Sequence, residues 1–312
     1  MRRSLVIFLW LVSFSYFSSA DEPKEKSFEL LNGDRVLFLG NSFFERALEY
    51  GYIETTLALS FPDRDITFRN VGWDGDTVFG HSRTGGRRRA VFGDVEEGFQ
   101  KMVEHVRLLK PSVIFLAYGA NESFAGLGGV DNFKKGLQDL VEALSDSGKV
   151  RFVFFSPLPV SPKFLPDPSY LKERNTSLMA YSKVLSTVAS KLRYPFVDLL
   201  GPLANTEFTT NGLHPNGKGY RLIAEEITDQ LNLPSARIEL TSSKSEELRL
   251  TIIKKNLLYF HRWRPRNDAF VYGERKNEQK IAQTEPAQFE PFILKKESRI
   301  VEILKTITSE TQ

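Results

Sequence analysis

Short apolar runs alternate with helical patterns over most of the chain, and this alternation restricts the possible folds more than any other feature. The strand-like runs lie at residues 36–39, 66–68, 113–116, 152–155 and 196–197. Apolar residues at helical spacing lie between and after these runs, at 43–59, 95–109, 132–144, 171–192 and 218–231. Continuous apolar strands separated by helices are typical of a parallel sheet covered on both faces. The pattern therefore predicts an α/β sandwich with about five strands.

Four polar residues stand directly after these predicted elements. Ser42, Gly72 and Asn121 follow the first three strands, and His214 follows the fifth. Because ligands of such sheets bind beyond the carboxyl ends of the strands, we expect the four residues at one edge. A serine nucleophile, a histidine base, and donors from a backbone amide and an asparagine side chain are what acyl transfer to a hydroxyl requires. Each residue alone is equally typical of a turn or a helix cap, so only the combination is specific.

The sequence around these residues resembles a known family. The motifs are Gly40-Asn41-Ser42, Asn70-Val71-Gly72-Trp73, Gly119-Ala120-Asn121-Glu122 and Asn211-Gly212-Leu213-His214-Pro215-Asn216. In this order, over about residues 35–231, they resemble the SGNH hydrolases, also called GDSL esterases and lipases. The resemblance implies a flavodoxin-like three-layer sandwich with Ser42 as nucleophile and His214 as general base. It also implies an oxyanion hole formed by the amides of Ser42 and Gly72 and the side chain of Asn121.

Longer stretches of the sequence resemble one particular branch of this family. Residues 50–55, 69–73 and 260–265 are similar to a secreted branch of the family of the planctomycete type. That similarity extends into the C-terminal part of the chain, and it indicates a lineage rather than a substrate.

Three positions depart from the family pattern. Asn41 and Glu122 each replace an aspartate, and Asn211 stands where the catalytic aspartate is expected. Asn41 can still accept one hydrogen bond. Asn211 is the more serious change, because an amide supplies no negative charge to a protonated histidine. In serine proteases the corresponding Asp→Asn change lowers kcat about 10⁴-fold by favouring the wrong tautomer.

The sequence leaves three ways to compensate for Asn211. Its backbone carbonyl can orient His214, or another acid such as Asp74, Asp76 or Glu207 can approach the ring. The third alternative is a slow enzyme.

We predict substrate contacts for His81, Arg87 and Glu122. His81 and the basic run at 85–89 share the loop after the second strand. This run is interpreted either as a solvated turn or as a clamp for an anionic substrate such as an acidic polysaccharide. A further histidine, His105, lies inside a helical pattern and is expected to be solvated.

The chain divides into three predicted regions. Residues 1–20 combine Arg2 and Arg3, an apolar run and small residues before the acidic residues begin, which is typical of a signal peptide. An uncleaved anchor is the alternative, although the run is short for a stable membrane span. Residues 21–236 form the hydrolase-like domain. The chain contains no cysteine, so neither a lipid-anchored cysteine nor a disulfide is possible. A secreted or periplasmic location is expected.

Residues 237–312 are predicted to form a C-terminal helical extension. Two apolar stripes support this, one with Ile252, Ile253, Leu257 and Phe260, the other with Ile293, Ile300, Leu304 and Ile307. Basic and aromatic residues around Trp263 are compatible with nucleic-acid binding, but cation–π packing inside a docked extension is commoner.

Taken together, these features predict a carboxylic ester hydrolase acting on a small-molecule or polysaccharide ester, with O-acetyl groups on carbohydrate as the family-level example. A catalytically weak or silent carbohydrate-binding or scaffold protein of the same fold is the alternative. The formal net charge of +3 gives no field that favours nucleic acid. No cofactor motif and no metal-ligand spacing is present, so neither cofactor nor metal is expected. The sequence makes no prediction about oligomeric state.

Overall fold

A five-stranded parallel sheet forms the centre of the molecule. The computed structural model describes residues 28–83, 95–164, 166–203, 208–234, 239–273 and 275–310. The strands are β1 (Arg35–Gly40), β2 (Thr67–Asn70), β3 (Val113–Ala117), β4 (Arg151–Phe155) and β5 (Phe196–Val197). Their order in the sheet is β2-β1-β3-β4-β5, and every neighbouring pair is parallel. The predicted sheet is confirmed.

Helices cover both faces of this sheet. They are α1 (Ser42–Tyr50), α2 (Tyr52–Ser60), α3 (Val95–Leu109), α4 (Val130–Leu144), α5 (Pro168–Leu192), α6 (Gly217–Gln230), α7 (Ser243–Trp263), α8 (Asp268–Val271) and α9 (Glu290–Glu310). One core lies between the sheet and α1, α2, α6, α7 and α9. The other lies between the sheet and α3, α4 and α5. The molecule is therefore a three-layer sandwich.

The strand order reverses between β1 and β3. The chain leaves β1 towards β2 on one side and places β3 on the other side, with Gly40 opposite Ala117. Loops that leave adjacent strands in opposite directions open a crevice at this switch point. Ser42 follows β1 and Asn121 follows β3, so the fold places both residues at this crevice.

The single helical pattern expected at 43–59 forms two helices. Gly51 separates α1 from α2 with a φ of 72°, and its N–H donates to the Ala47 carbonyl at 2.9 Å. A Cβ on Gly51 would lie 3.0 Å from the side chain of Ile253 in α7. Glycine therefore permits both the left-handed conformation and the close approach of the C-terminal extension.

The C-terminal extension belongs to the same core as the sheet. Leu248 and Ile252 of α7 are fully buried against the face that carries β1 and β3. The stripe predicted on α9 is confirmed, since Ile293, Leu304 and Ile307 are buried. The stripe predicted on α7 is wrong in part because Leu257 is exposed. Lys255 and Asn256 take the buried positions instead, where they bond to the carboxylate of Glu54.

No helix of the described ranges has both the length and the apolar composition needed to cross a membrane. The predicted signal peptide, residues 1–20, lies outside the described residues.

Candidate active site

A cleft of about 70 Å³ lies beyond the carboxyl ends of β1, β3 and β4. It brings together Ser42, Asn121 and His214 from three separate loops. The cleft is also lined by Asn41, Phe124, Leu213, three residues that follow β4 (Ser156, Leu158 and Val160) and two residues of α5 (Arg174 and Leu178). Three of the four residues that the sequence placed at one edge therefore share one cleft.

Asn41 shapes the turn that presents Ser42. It is buried, and its side-chain oxygen accepts from the Phe43 N–H at 3.1 Å, which caps α1. The expectation that Asn41 still accepts one hydrogen bond is confirmed. Ser42 is the first residue of α1, so its amide is one of the N–H groups that lack a partner within the helix. Such an amide can stabilise a developing negative charge.

Asn121 is held by the loop after β2. Its side-chain nitrogen donates to the Asp76 carbonyl at 2.8 Å. An amide nitrogen carries two hydrogens, so one remains for a ligand in the cleft. Asp76 itself is fully buried and accepts from Arg83 at 2.8 Å and from the Tyr118 hydroxyl at 3.1 Å. The buried ion pair thus fixes the carbonyl that orients Asn121.

Gly72 is placed differently from the other predicted donors. Its N–H donates to the side-chain oxygen of Asn70 at 2.9 Å, and Gly72 is not among the residues that line the cleft. A Cβ at Gly72 would lie 2.4 Å from the Glu45 nitrogen, so only glycine permits the loop to cross the first turn of α1. In the structure this predicted oxyanion donor is already bonded to Asn70.

A tight turn presents His214. The Thr210 N–H donates to the His214 carbonyl at 2.7 Å. Within the turn, the side-chain oxygen of Asn211 accepts from the backbone N–H groups of Leu213, at 3.1 Å, and of His214, at 3.0 Å. Asn216 then caps α6 by accepting from the Gly219 N–H. The loop is closed at both ends, which fixes the position of the histidine.

The same turn determines the tautomer of His214. Because the oxygen of Asn211 faces two backbone donors, its NH₂ group faces the ring, with Nδ2 at 3.2 Å from Nδ1 of His214. An amide NH₂ only donates, so Nδ1 is the acceptor and the proton of the neutral ring lies on Nε2. A general base must offer a free lone pair to the serine hydroxyl. Asn211 therefore favours the tautomer that is unsuited to deprotonating Ser42.

No carboxylate in the described ranges bonds to the His214 ring. Of the three acids considered from the sequence, Asp76 is committed to Arg83 and Tyr118. Asp74 acts on His214 only through its charge, and Glu207 lies outside the described residues. Among the described residues, the Ser42 hydroxyl makes no hydrogen bond to His214, although both residues line the cleft. Ser42 and His214 thus line one cleft, and no acid of the described ranges is bonded to the histidine ring.

The surroundings lower the pKa of His214 below 6.5. Burial is the largest cause, and the positive charge of Arg46 acts in the same direction. The carboxylate of Asp74 opposes them, but the net direction is downward. His214 is therefore neutral at pH 7, which is the charge state that a base requires.

Two of the predicted substrate contacts, Glu122 and His81, are not among the residues that line the cleft. Glu122 is buried, and its two oxygens accept from the N–H groups of Val78 and Gly119, each at 2.8 Å. His81 lies on a short 3₁₀ turn with Nδ1 at 2.7 Å from the Thr77 hydroxyl, away from the lining residues. Arg87 lies outside the described residues. In the structure, Glu122 joins the loops after β2 and β3.

Arg174 lines the cleft and was missed from the sequence. Its guanidinium donates to the Ser123 hydroxyl at 2.7 Å and to the Ala120 carbonyl at 2.8 Å. A signal was present: Arg174, Ser177, Leu178 and Tyr181 recur at helical spacing, and all four are buried. A charged residue within the buried stripe of a helix indicates either a paired charge or a site.

Within the described ranges, no group of three or more histidine or acidic side chains is arranged to hold a metal ion.

A three-layer sandwich with a parallel sheet, and a serine and a histidine in one cleft beyond its carboxyl edge, defines a flavodoxin-like α/β protein with the layout of a serine hydrolase. The profile of the GDSL-like lipase/acylhydrolase family matches residues 38–222. The chain belongs to this family, which is also known as SGNH.

Solved structures are similar to this chain, and the first of the two named here shows the same fold. An acetylxylan esterase from Geobacillus stearothermophilus, solved as a catalytic mutant, is 18% identical with a TM-score of 0.51, over 68% of this chain and 100% of the esterase. A lipase/acylhydrolase from Enterococcus faecalis is 21% identical with a TM-score of 0.45, over 64% of this chain and 95% of its own. No curated protein matches the chain.

Proposed function

We propose that this protein is a serine esterase. Ser42 attacks the ester carbonyl, and His214, in the less populated tautomer that leaves Nε2 free, takes the hydroxyl proton and returns it to the leaving alcohol. The Ser42 amide and Asn121 stabilise the oxyanion. Water then releases the acyl group from the serine by the reverse sequence. The observation that carries the proposal is the convergence of Ser42, Asn121 and His214 on one cleft from three loops.

The proposed substrate is a short acyl ester, with O-acetyl groups on carbohydrate as the first class to test. The small cleft is compatible with an acetyl group, and an acetylxylan esterase shares the fold. We further propose that the protein is secreted or periplasmic and belongs to the planctomycete-type branch, as the sequence at 1–20 and at 260–265 indicates.

Hydrolysis of 4-nitrophenyl acetate and release of acetate from acetylated xylan test the proposal. Both should be lost in Ser42→Ala. The matched control is Ser298→Ala, which removes an exposed hydroxyl from α9 and should leave both rates unchanged. A wild-type rate equal to that of Ser42→Ala on both esters would reject the esterase.

The orientation of Asn211 favours a second function. If His214 keeps its proton on Nε2, the cleft can bind an ester without cleaving it, as a silent carbohydrate-binding protein would. Saturable binding of acetylated xylo-oligosaccharides without release of acetate would support this alternative.

A further inference from the structure

Arg174 places an unpaired positive charge in the wall of the cleft. Its side chain is 5% exposed, and in the described part of the cleft lining it is the one permanently charged residue. No carboxylate of the described ranges forms an ion pair with it. Burial of a guanidinium without a counter-charge is costly. An anionic ligand that supplies the missing counter-charge would offset this cost.

The hydrogen bonds of Arg174 leave part of its guanidinium available. Nη1 donates to the Ser123 hydroxyl and Nη2 to the Ala120 carbonyl, both of them neutral acceptors. Nε is buried and has no acceptor in the described structure. The ring of Phe124 lies 3.8 Å from the guanidinium carbon, which covers one face without neutralising the charge. A guanidinium has five N–H groups in a planar fork, so bonds to an anion remain possible.

The neighbours of Arg174 connect it to the reacting centre. Ala120, which accepts from Nη2, precedes Asn121 in the chain, and Leu178 lines the cleft one helical turn beyond Arg174. Burial lowers the pKa of Arg174 below its ordinary value, but a guanidinium remains charged at neutral pH. The charge therefore lies beside the group proposed to hold the oxyanion.

We propose that Arg174 forms a subsite for a carboxylate carried by the substrate, so that the preferred esters are those of acidic molecules such as uronic-acid sugars. This inference rests on the proposed function only in taking the cleft as the place where the ester binds. A charge-assisted hydrogen bond to a buried guanidinium discriminates strongly between a carboxylate and a neutral amide of the same shape.

The test compares 4-acetoxybenzoate with 4-acetoxybenzamide, two acetyl esters that differ in charge but hardly in shape. The wild-type protein should favour the benzoate in kcat/KM, and Arg174→Met should reduce that preference by about 10- to 100-fold. Arg174→Lys keeps the charge but not the fork, so it should retain part of the preference. Arg221→Met is the control, because Arg221 lies on α6 and pairs with Glu225 at the surface.

A purely structural role gives a different result. Arg174→Met would then lower the rates on both esters by the same factor, because a shifted Ala120 disturbs Asn121 whatever the substrate. Equal losses, or a wild-type protein without preference, would overturn the proposal.

Binding separates this proposal from the esterase itself. Titration of both compounds into Ser42→Ala, with and without Arg174→Met, measures recognition without turnover. Tighter binding of the benzoate that disappears with Arg174→Met supports the subsite even if the wild-type protein hydrolyses neither ester. Equal binding of both compounds to Ser42→Ala rejects it.

Discussion

At the scale of single residues, the amide of Asn211 has the largest consequence for chemistry. Two backbone N–H groups hold its oxygen, and this arrangement turns its NH₂ group towards Nδ1 of His214. A carboxylate in the same place would accept from the same two N–H groups and also from Nδ1–H. The loop therefore presents the His214 ring with an amide donor at the place where a catalytic triad has a carboxylate acceptor.

Asn211→Asp should raise esterase turnover by about 10²-fold, because it places the ring proton on Nδ1 and frees Nε2 for Ser42. The measurement is kcat on 4-nitrophenyl acetate. Asn232→Asp, at an exposed position, makes the same chemical change away from the cleft and should have no effect. The gain should vanish when Ser42→Ala is added.

The pH profile gives a second readout of the same change. In the proposed mechanism neutral His214 is the active form, and burial lowers its pKa, so the wild-type rate should fall only below pH 6.5. A carboxylate beside the ring stabilises its protonated form and raises the pKa. The acid limb should thus move to higher pH in Asn211→Asp. An unmoved limb would mean that residue 211 does not interact with the ring.

Glu122 links stability to pH. Burial raises its pKa from 4.5 to about 7, despite the two backbone N–H groups that it accepts from. A raised folded-state pKa means that the native protein binds the proton more tightly than the unfolded chain. Tighter proton binding by Glu122 therefore stabilises the native state by up to about 3 kcal/mol. This stabilisation is complete below pH 4.5 and is lost as the pH rises through about 7.

Glu122→Gln removes this titration. Urea unfolding between pH 4.5 and 7.5 should show a wild-type stability that falls with pH and a flatter curve for the variant. The control is Glu142→Gln, an exposed position on α4. Parallel curves for wild type and Glu122→Gln would contradict the assignment.

At the scale of elements, the end of α7 packs on the loop that follows β2. Trp263 contacts Trp73 with ring centroids 5.5 Å apart, and the guanidinium of Arg264 lies 4.2 Å from the Trp73 ring. Arg264 also pairs with Glu45 of α1 at 2.5 Å. Because Trp73 directly follows Gly72, a helix outside the 38–222 family match supports a loop of the candidate site.

Arg264→Met should lower kcat about 3- to 10-fold with little loss of folded protein, since it loosens the Trp73 loop by about 1 kcal/mol. Steady-state kinetics and a thermal melt measure the two effects. Arg299→Met removes an exposed arginine of the same extension and should leave kcat unchanged. An equal kcat for Arg264→Met and wild type would show that the extension does not position the loop.

Helices and strands could be predicted where the local spacing of apolar residues determines them. The helix expected at 95–109 has those bounds in the structure, and each strand begins or ends within two residues of its apolar run. The break at Gly51 was missed, although a glycine in the left-handed conformation commonly ends a helix. His105 was expected in solvent, yet it packs 4.9 Å from Trp263, and burial lowers its pKa to about 3.

The candidate site was predictable only in part: the sequence indicated which residues come together but not how each one is oriented. The family motifs predicted that Ser42, Asn121 and His214 lie close together, and the structure places all three in one cleft. The prediction succeeds because loops that follow parallel strands lie at the same edge of the sheet. No comparable rule predicts which way a side chain points within a loop. Gly72 donates to Asn70, and Glu122 faces inward because backbone N–H groups of two loops meet there.

At the scale of the whole molecule, a buried polar cluster joins the extension to the sandwich. Lys255 is 1% exposed, pairs with Glu54 and donates to the Phe68 carbonyl at 3.2 Å. Asn256 donates to the second oxygen of Glu54 at 2.9 Å. Each charge is tolerated in the core only because the other is present.

Lys255→Met should lower the free energy of unfolding by about 3–5 kcal/mol, since it leaves the Glu54 carboxylate buried with Asn256 alone. Chemical denaturation measures the loss. Lys254→Met changes the exposed neighbouring lysine and should be nearly neutral. Adding Glu54→Gln to Lys255→Met should recover much of the loss, and a double variant as unstable as the sum of the single ones would contradict the coupling.

The position of the extension also sets the order in which the protein can fold. Glu54 and Lys255 are 201 residues apart, and α7 and α9 complete the core beside β1 and β2. During synthesis the first strands leave the ribosome long before the helices that cover them. The nascent chain therefore carries a partly uncovered apolar face until α7 and α9 emerge, and during that interval we expect the face to be open to chaperone binding.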